Sequence, residues 1–320
     1  MVDDFEEDVG QNELQRRGWV LQERALSRRT IHFAGRQTYW ECGGGVRCET
    51  LTRMNNDKAA FLGDAHFPSY ANRWSRGKRI KVIQRLYEQY SAMGLTYARD
   101  RPAAIRGLEA RLVKTIGGPG GFGIFRPHMY RYLLWMRSSA SGPGLERVTD
   151  FVPPSTPPPS WSWMAYSGGI KYVDVPGVGV EWDASLVWPY SESDPIPARL
   201  EAPVRDMVDI EGMELEDEEA WISMDGPHAI IPKPTKCVVV GTLTSETPCC
   251  WVLIVGPVDI PTLRGAGLCN LNVILRVKAK LRRNETGNSK AWQRLGVGMV
   301  KKTQVVFESA GSDRELNWIV

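Results

Sequence analysis

Several features are scarce in this sequence: long apolar runs, an excess of one charge, histidine and cysteine. The longest apolar stretch, around Trp251 to Val255, is strand-sized, whereas a helix crossing a bilayer needs about 20 apolar residues. No membrane span is expected. The chain carries 40 Lys and Arg against 37 Asp and Glu, a net charge of +3 over 320 residues. Whole-molecule electrostatics therefore gives no case for a nucleic-acid or anionic-membrane partner.

The four histidines show no spacing with Ser or Cys that points to a nucleophilic triad. The cysteines are Cys42, Cys48, Cys237, Cys249, Cys250 and Cys269, in a chain whose start, Asp3 to Asp8, is acidic. A secretory leader begins basic and turns apolar, so free thiols in a reducing, cytoplasmic setting are expected. Cys42, Cys48 and His66 supply one short-spaced ligand pair where structural zinc sites use two, so no metal is expected, and no cofactor either. The adjacent Cys249 and Cys250 beside Trp251 read as strand packing, since free Cys is commonly buried.

What is present describes a globular protein. The residues are 42% hydrophobic and 24% charged, enough to build a large core, and the length points to two packed units. The 12 Trp residues are expected as core anchors. Apolar residues of Gly18 to Ser27 read as one short helix. Thr30 to Phe33 and Gln37 to Cys42, separated by Ala34-Gly35-Arg36, read as a hairpin. Ile80, Ile83, Leu86, Tyr87 and Tyr90 fall at spacings of three and four and predict a helix over 76–93. A second helix is expected over 101–116, with Pro102 in its first turn and Gly117-Gly118-Pro119 ending it. A third, shorter one is expected from Met129 to Met136.

The prolines from Pro153 to Pro159 mark a crossover, because Pro is excluded from helix interiors and central strands. Beyond it the chain reads as β-rich, with strands expected at 169–173, 198–202, 237–240, 251–255, 271–275, 292–300 and 305–307. The expected class is α+β, with stretches 1–60, 61–150 and 151–320 differing in character. Gly117 to Gly123 is Gly-rich, but no Lys-Ser or Lys-Thr follows, so it reads as a connection and not a phosphate loop. The basic runs Arg73 to Arg79 and Lys278 to Arg283 are short and are opposed by the acidic stretch Asp209 to Glu219; they read as solvated faces.

The most distinctive segment is Arg17-Gly18-Trp19-Val20-Leu21-Gln22-Glu23-Arg24-Ala25-Leu26-Ser27-Arg28-Arg29. By residue type alone it is a surface helix whose Glu pairs with Arg, worth at most about 1 kcal/mol. In pattern it resembles the closing block of the fungal heterokaryon-incompatibility (HET) domain, in the family motif positions Arg17, Trp19, Gln22, Glu23, Ser27 and Arg28. Further blocks follow in the same order: Tyr39-Trp40-Glu41-Cys42, Tyr87-Glu88-Gln89-Tyr90, Asp100 to Leu108, Leu133-Leu134-Trp135, Pro159-Ser160-Trp161-Ser162-Trp163, and, more distantly, Arg294-Leu295-Gly296-Val297-Gly298. The resemblance covers about residues 14 to 175. It implies a cytoplasmic factor of non-self recognition and cell death that works with protein partners, other incompatibility factors. It also implies that residues 1–60 are the carboxy-terminal remnant of an α/β, TIR-like domain. The family's two earlier blocks are not in this sequence, so an amino-terminally truncated protein without autonomous catalysis is expected. The alternative is a fragment of a TIR-like NAD glycohydrolase, with Glu23 as the candidate catalytic carboxylate.

Overall fold

The computed structural model describes residues 5–42, 45–50, 52–54, 74–139, 144–151, 157–189, 199–208, 220–226, 235–258, 291–307 and 316–320. The protein is α+β, and its chain divides into two compact units, Met1–Gly121 and Phe122–Val320. The stretch expected to be helical, 61–150, is thus divided between the two, and the division falls at the glycine-rich connection instead of the proline-rich one. The reason is local: two of the helices are fastened to each other.

In the first unit, α1 (Gly18–Leu26) leads into β1 (Arg29–Phe33), β2 (Thr38–Cys42), β3 (Gly45–Cys48) and β4 (Arg53–Met54), an antiparallel sheet in that order. Tyr39 and Glu41 of β2 face inward with Val46 and Cys48 of β3, as the period of two requires. Phe5 and Val9 of the leader complete this small core. Two 16-residue helices follow, α2 (Arg76–Ser91) and α3 (Arg101–Ile116). Ser75 caps α2 by accepting from the Lys78 N–H at 3.4 Å, and Pro102 sits in the first turn of α3, whose end is Gly117 at φ +74°. The predicted stripe Ile80, Ile83, Leu86, Tyr87 and Tyr90 is buried, as are Ala104, Ile105, Leu108 and Leu112. The Tyr90 hydroxyl donates to the Arg101 carbonyl at 2.5 Å, and Arg101 Nη1 donates to the Ser91 carbonyl at 3.0 Å.

In the second unit, α4 (Met129–Leu133) stops three residues short of the predicted Met136. Leu134, at ψ 63°, leaves the helical region, and β5 (Trp135–Arg137) pairs antiparallel with β6 (Ile170–Tyr172) instead. The larger sheet draws on β7 (Val180–Trp182), β8 (Leu200–Pro203), β9 (Arg205–Asp206), β10 (Trp221–Met224), β11 (Lys236–Leu243), β12 (Cys249–Pro257), β13 (Ala291–Lys301) and β14 (Leu316–Ile319). Its order is β7-β11-β12-β13-β14-β8, with β9 beside β11 and β10 beside β13; β13 and β14 run parallel. Cys249 to Val255 are all buried, with Cys237 and Val239 in the same core. Where a strand was expected at 305–307 there is only a single bridge, from Val305 to Met207, just after the 3-10 turn Lys302–Gln304. The strand expected at 271–275 lies outside the described residues, as do His66, Arg73, Asp209 to Glu219 and Lys278 to Arg283. Among the described residues no helix is long and apolar enough to cross a membrane.

Candidate functional site

The residues that carry the family resemblance lie on and beside α1, and the helix sorts them onto different faces. Gln22 faces α3, where its Oε1 accepts the Gly107 N–H at 2.6 Å and the Leu108 N–H at 3.4 Å. Arg111 reaches back from α3 to the Ala25 and Leu26 carbonyls at 3.2 and 3.4 Å, satisfying acceptors that a helix end leaves open. The helices approach so closely that a Cβ on Gly107 would lie 2.8 Å from Leu26 Cδ1. Ser27 Oγ donates to the Glu23 carbonyl at 2.7 Å and closes the last turn. Arg17, Trp19, Glu23 and Arg28 are exposed, with the Arg17 backbone bridged to Gly94. The six motif positions therefore do not converge on one point; Gln22 is a fastener between helices, and the Glu23 carboxylate faces solvent.

Convergence occurs one residue further along. Arg24 Nε and Nη2 donate to the two oxygens of Glu41 at 2.8 and 2.9 Å, a bidentate pair. His32 Nε2 lies 2.9 Å from the same carboxylate. The hairpin register pairs Thr30 with Glu41 and His32 with Tyr39, which brings His32 and Glu41 to neighbouring inward positions. Phe5 covers the group, its ring edge-on to His32 at 5.5 Å and to Tyr39 at 5.2 Å, with the Arg24 guanidinium 5.5 Å over its face. The Tyr39 hydroxyl donates to Asp8 at 2.5 Å.

Glu41 is almost wholly buried. Burial is the largest influence on its carboxyl and acts to raise the pKa, but the hydrogen bonds and charges of His32 and Arg24 together outweigh it and hold the pKa below the ordinary range. Both oxygens are engaged, so Glu41 is a fixed, ionised acceptor. The residue types are those of proton transfer, but in this arrangement they tie the leader, α1 and the hairpin together. An acidic residue at an inward position of a strand, two from Tyr39, was the sequence signal for this cluster. Among the described residues, no group of three or more His, Cys, Asp and Glu could hold a metal ion. Cys48 Sγ instead meets Thr50 Oγ1 at 2.9 Å.

No family model matches this chain, and no curated protein or solved structure matches it.

The second unit has a polar centre of its own. Arg294 donates to Asp225 from Nε at 3.0 Å and from Nη2 at 3.3 Å, to the Leu133 carbonyl at 2.7 Å and to the Trp135 carbonyl at 2.5 Å. Its guanidinium lies 3.3 Å from the Trp135 ring centroid. Its backbone N–H donates to Ser160 Oγ at 2.9 Å, and that hydroxyl donates to the Val320 carbonyl. Complete burial pushes the Asp225 carboxyl above its ordinary range, with Arg294 opposing the shift. Trp135 and Tyr166 pack against this centre and are buried, as are Trp161 and Trp163 of the same unit; burial pushes the Tyr166 phenol up to about 12. Every polar atom of Arg294 is committed to the fold, so this is an organising ion pair and not an open site.

Proposed function

We propose that this chain is the carboxy-terminal portion of a HET-type non-self recognition protein, cytoplasmic, and that it acts through protein contacts without catalysis of its own. The observation that carries the reading is the interlocking of blocks. Gln22, from the Trp-x-x-Gln-Glu pattern, is hydrogen-bonded to Gly107 and Leu108 of the Ala-Ile-Arg-Gly-Leu pattern, 85 residues away. Leu133, Trp135, Ser160 and Arg294, from three further blocks, share one centre in the second unit. Residues that hold one another in place within each unit are what a recognition scaffold requires. Glu23, the carboxylate that an NAD-cleaving reading would use, is exposed on α1, and a dinucleotide needs converging walls.

The test is expression of the full chain in a filamentous fungus, with hyphal viability and cellular NAD measured together. The expected result is altered viability in strains of particular genotype with NAD unchanged. A fall in NAD that Glu23→Gln abolishes would overturn the non-catalytic reading in favour of a TIR-like glycohydrolase fragment. Viability unaffected in every strain would count against recognition itself.

A further inference from the structure

We infer that β1 is the pairing edge of a symmetric dimer, in which β1 of one copy lies antiparallel to β1 of a second copy across Ile31. The strand stands at the end of its sheet. The hairpin closes with the Ala34 N–H donating to the Gln37 carbonyl at 3.1 Å. With the register Phe33 to Thr38 and His32 to Tyr39, the alternation of antiparallel ladders turns the N–H and C=O groups of Thr30 and His32 toward β2. Those of Arg29, Ile31 and Phe33 point away from it. These outward groups have no backbone partner among the described residues. A row of unpaired donors and acceptors is a template for another strand, and proteins ordinarily blunt such edges with charge, proline or a bulge. The edge here carries one Arg and no proline.

The side chains of the same three residues point to solvent. Phe33 is 84% exposed and Ile31 50%, and Trp40, the cross-strand neighbour of Ile31, is 40% exposed. Large apolar groups held this open on a strand edge signal an interaction surface.

The occupant follows from the order of residues. An antiparallel copy centred on Ile31 places Ile31 against its own counterpart and Arg29 against Phe33 in both directions. Each of these pairs exchanges both backbone hydrogen bonds. On the outer face the result is an apolar contact flanked by two Arg–Phe pairs, which attract as a cation and an aromatic ring. No like charges stand opposite each other. A strand of acidic or basic alternation would fit this edge less well than the edge fits itself. The contact is small, so the dimer belongs to the weak, transient class.

The experiment is sedimentation velocity on the full chain from about 5 to about 200 µM, the range in which an interface of this size is populated. Wild type is expected to shift from monomer toward dimer with concentration. Ile31→Lys and Ile31→Glu place like charges against each other on the two-fold axis, and each is expected to weaken the dimer by at least about ten-fold. An equimolar mixture of the two variants is expected to restore it, because Lys then faces Glu; this also shows that both variants fold. Phe33→Ser, at a residue with almost no internal contact, should weaken it as well. A wild-type monomer across the whole range overturns the inference, as does a dimer that survives both substitutions at Ile31 or a mixture that stays monomeric. None of these results bears on viability or NAD, so the dimer and the recognition role fail or stand separately.

Discussion

Replacing Arg294 by Met should be the most damaging single change in the second unit. The guanidinium is fully buried and its partner, Asp225, nearly so. The variant leaves a buried carboxylate without its counter-charge, and breaking such a pair from one side costs about 3–5 kcal/mol. It also strands the carbonyls of Leu133 and Trp135, each worth on the order of 1 kcal/mol. A total of about 5–7 kcal/mol is comparable with the whole stability of many domains. Urea unfolding followed by tryptophan fluorescence would report it, since Trp135 and Trp161 lie in the affected core. The deficit should also depend on pH. Folding raises the Asp225 pKa, so the folded state favours the protonated acid. The stability this confers is full below the ordinary carboxylate range and is lost as pH rises through the folded value. Removing Arg294 strengthens that tendency, and the variant should lose less at pH 4 than at pH 8. A loss under about 1 kcal/mol at neutral pH, or one independent of pH, would refute the assignment of Arg294 and Asp225 as the organising pair.

Three further outcomes are expected. Glu41→Gln should destabilise the first unit by about 2–4 kcal/mol at pH 7, because it leaves Arg24 largely buried without its counter-charge. Folding lowers the Glu41 pKa, so its stabilisation is full above the ordinary range and lost as pH falls through the folded value; acid titration of the variant should lack this component. Gly107→Ala should change stability by no more than about 1 kcal/mol, because the helix-propensity gain of Ala is offset by the shift of the Leu26 side-chain end that its Cβ would meet at 2.8 Å; a gain in thermal stability as large as at an open helix surface would contradict the packing. In timed alkylation read by mass spectrometry, Cys42, which is partly exposed, should react well before Cys237, whose thiol burial pushes up to about 12.

The helices α2 and α3 were legible in the sequence because the apolar spacing of the one, and the proline in the first turn and closing glycines of the other, speak for helix. The end of α4 was not. Its apolar run suits helix or strand equally, and pairing with β6 decides between them. The strands β10 and β14 are four residues each and take their state from their ladder partners, β13 for the one and β8 with β13 for the other. Of the candidate site, Gln22 stood out by pattern, but its role rests on a contact with α3 that no local reading supplies. The Arg24, His32 and Glu41 cluster required the hairpin register, which fixes who neighbours whom across the sheet. In the late block, Arg294-Leu295-Gly296-Val297-Gly298, the glycines stand where a Cβ would meet the Ser223 and Trp221 carbonyls at 2.6 and 2.7 Å. The pattern there records the close passage of β10.

The strand order of the larger sheet bears on how the protein is made. During synthesis β8 leaves the ribosome well before its ladder partner β14 has been made. Until then the ladder that ends with Leu200 and Ala202 fully buried is incomplete, and β8 has its bridge from Glu201 to Val187. The helices and hairpin of the first unit lie within Met1–Gly121, and amino-terminal domains generally fold first during synthesis. The second unit must wait for β14 to complete its sheet, and a late, non-local pairing of this kind is the step most exposed to misassembly.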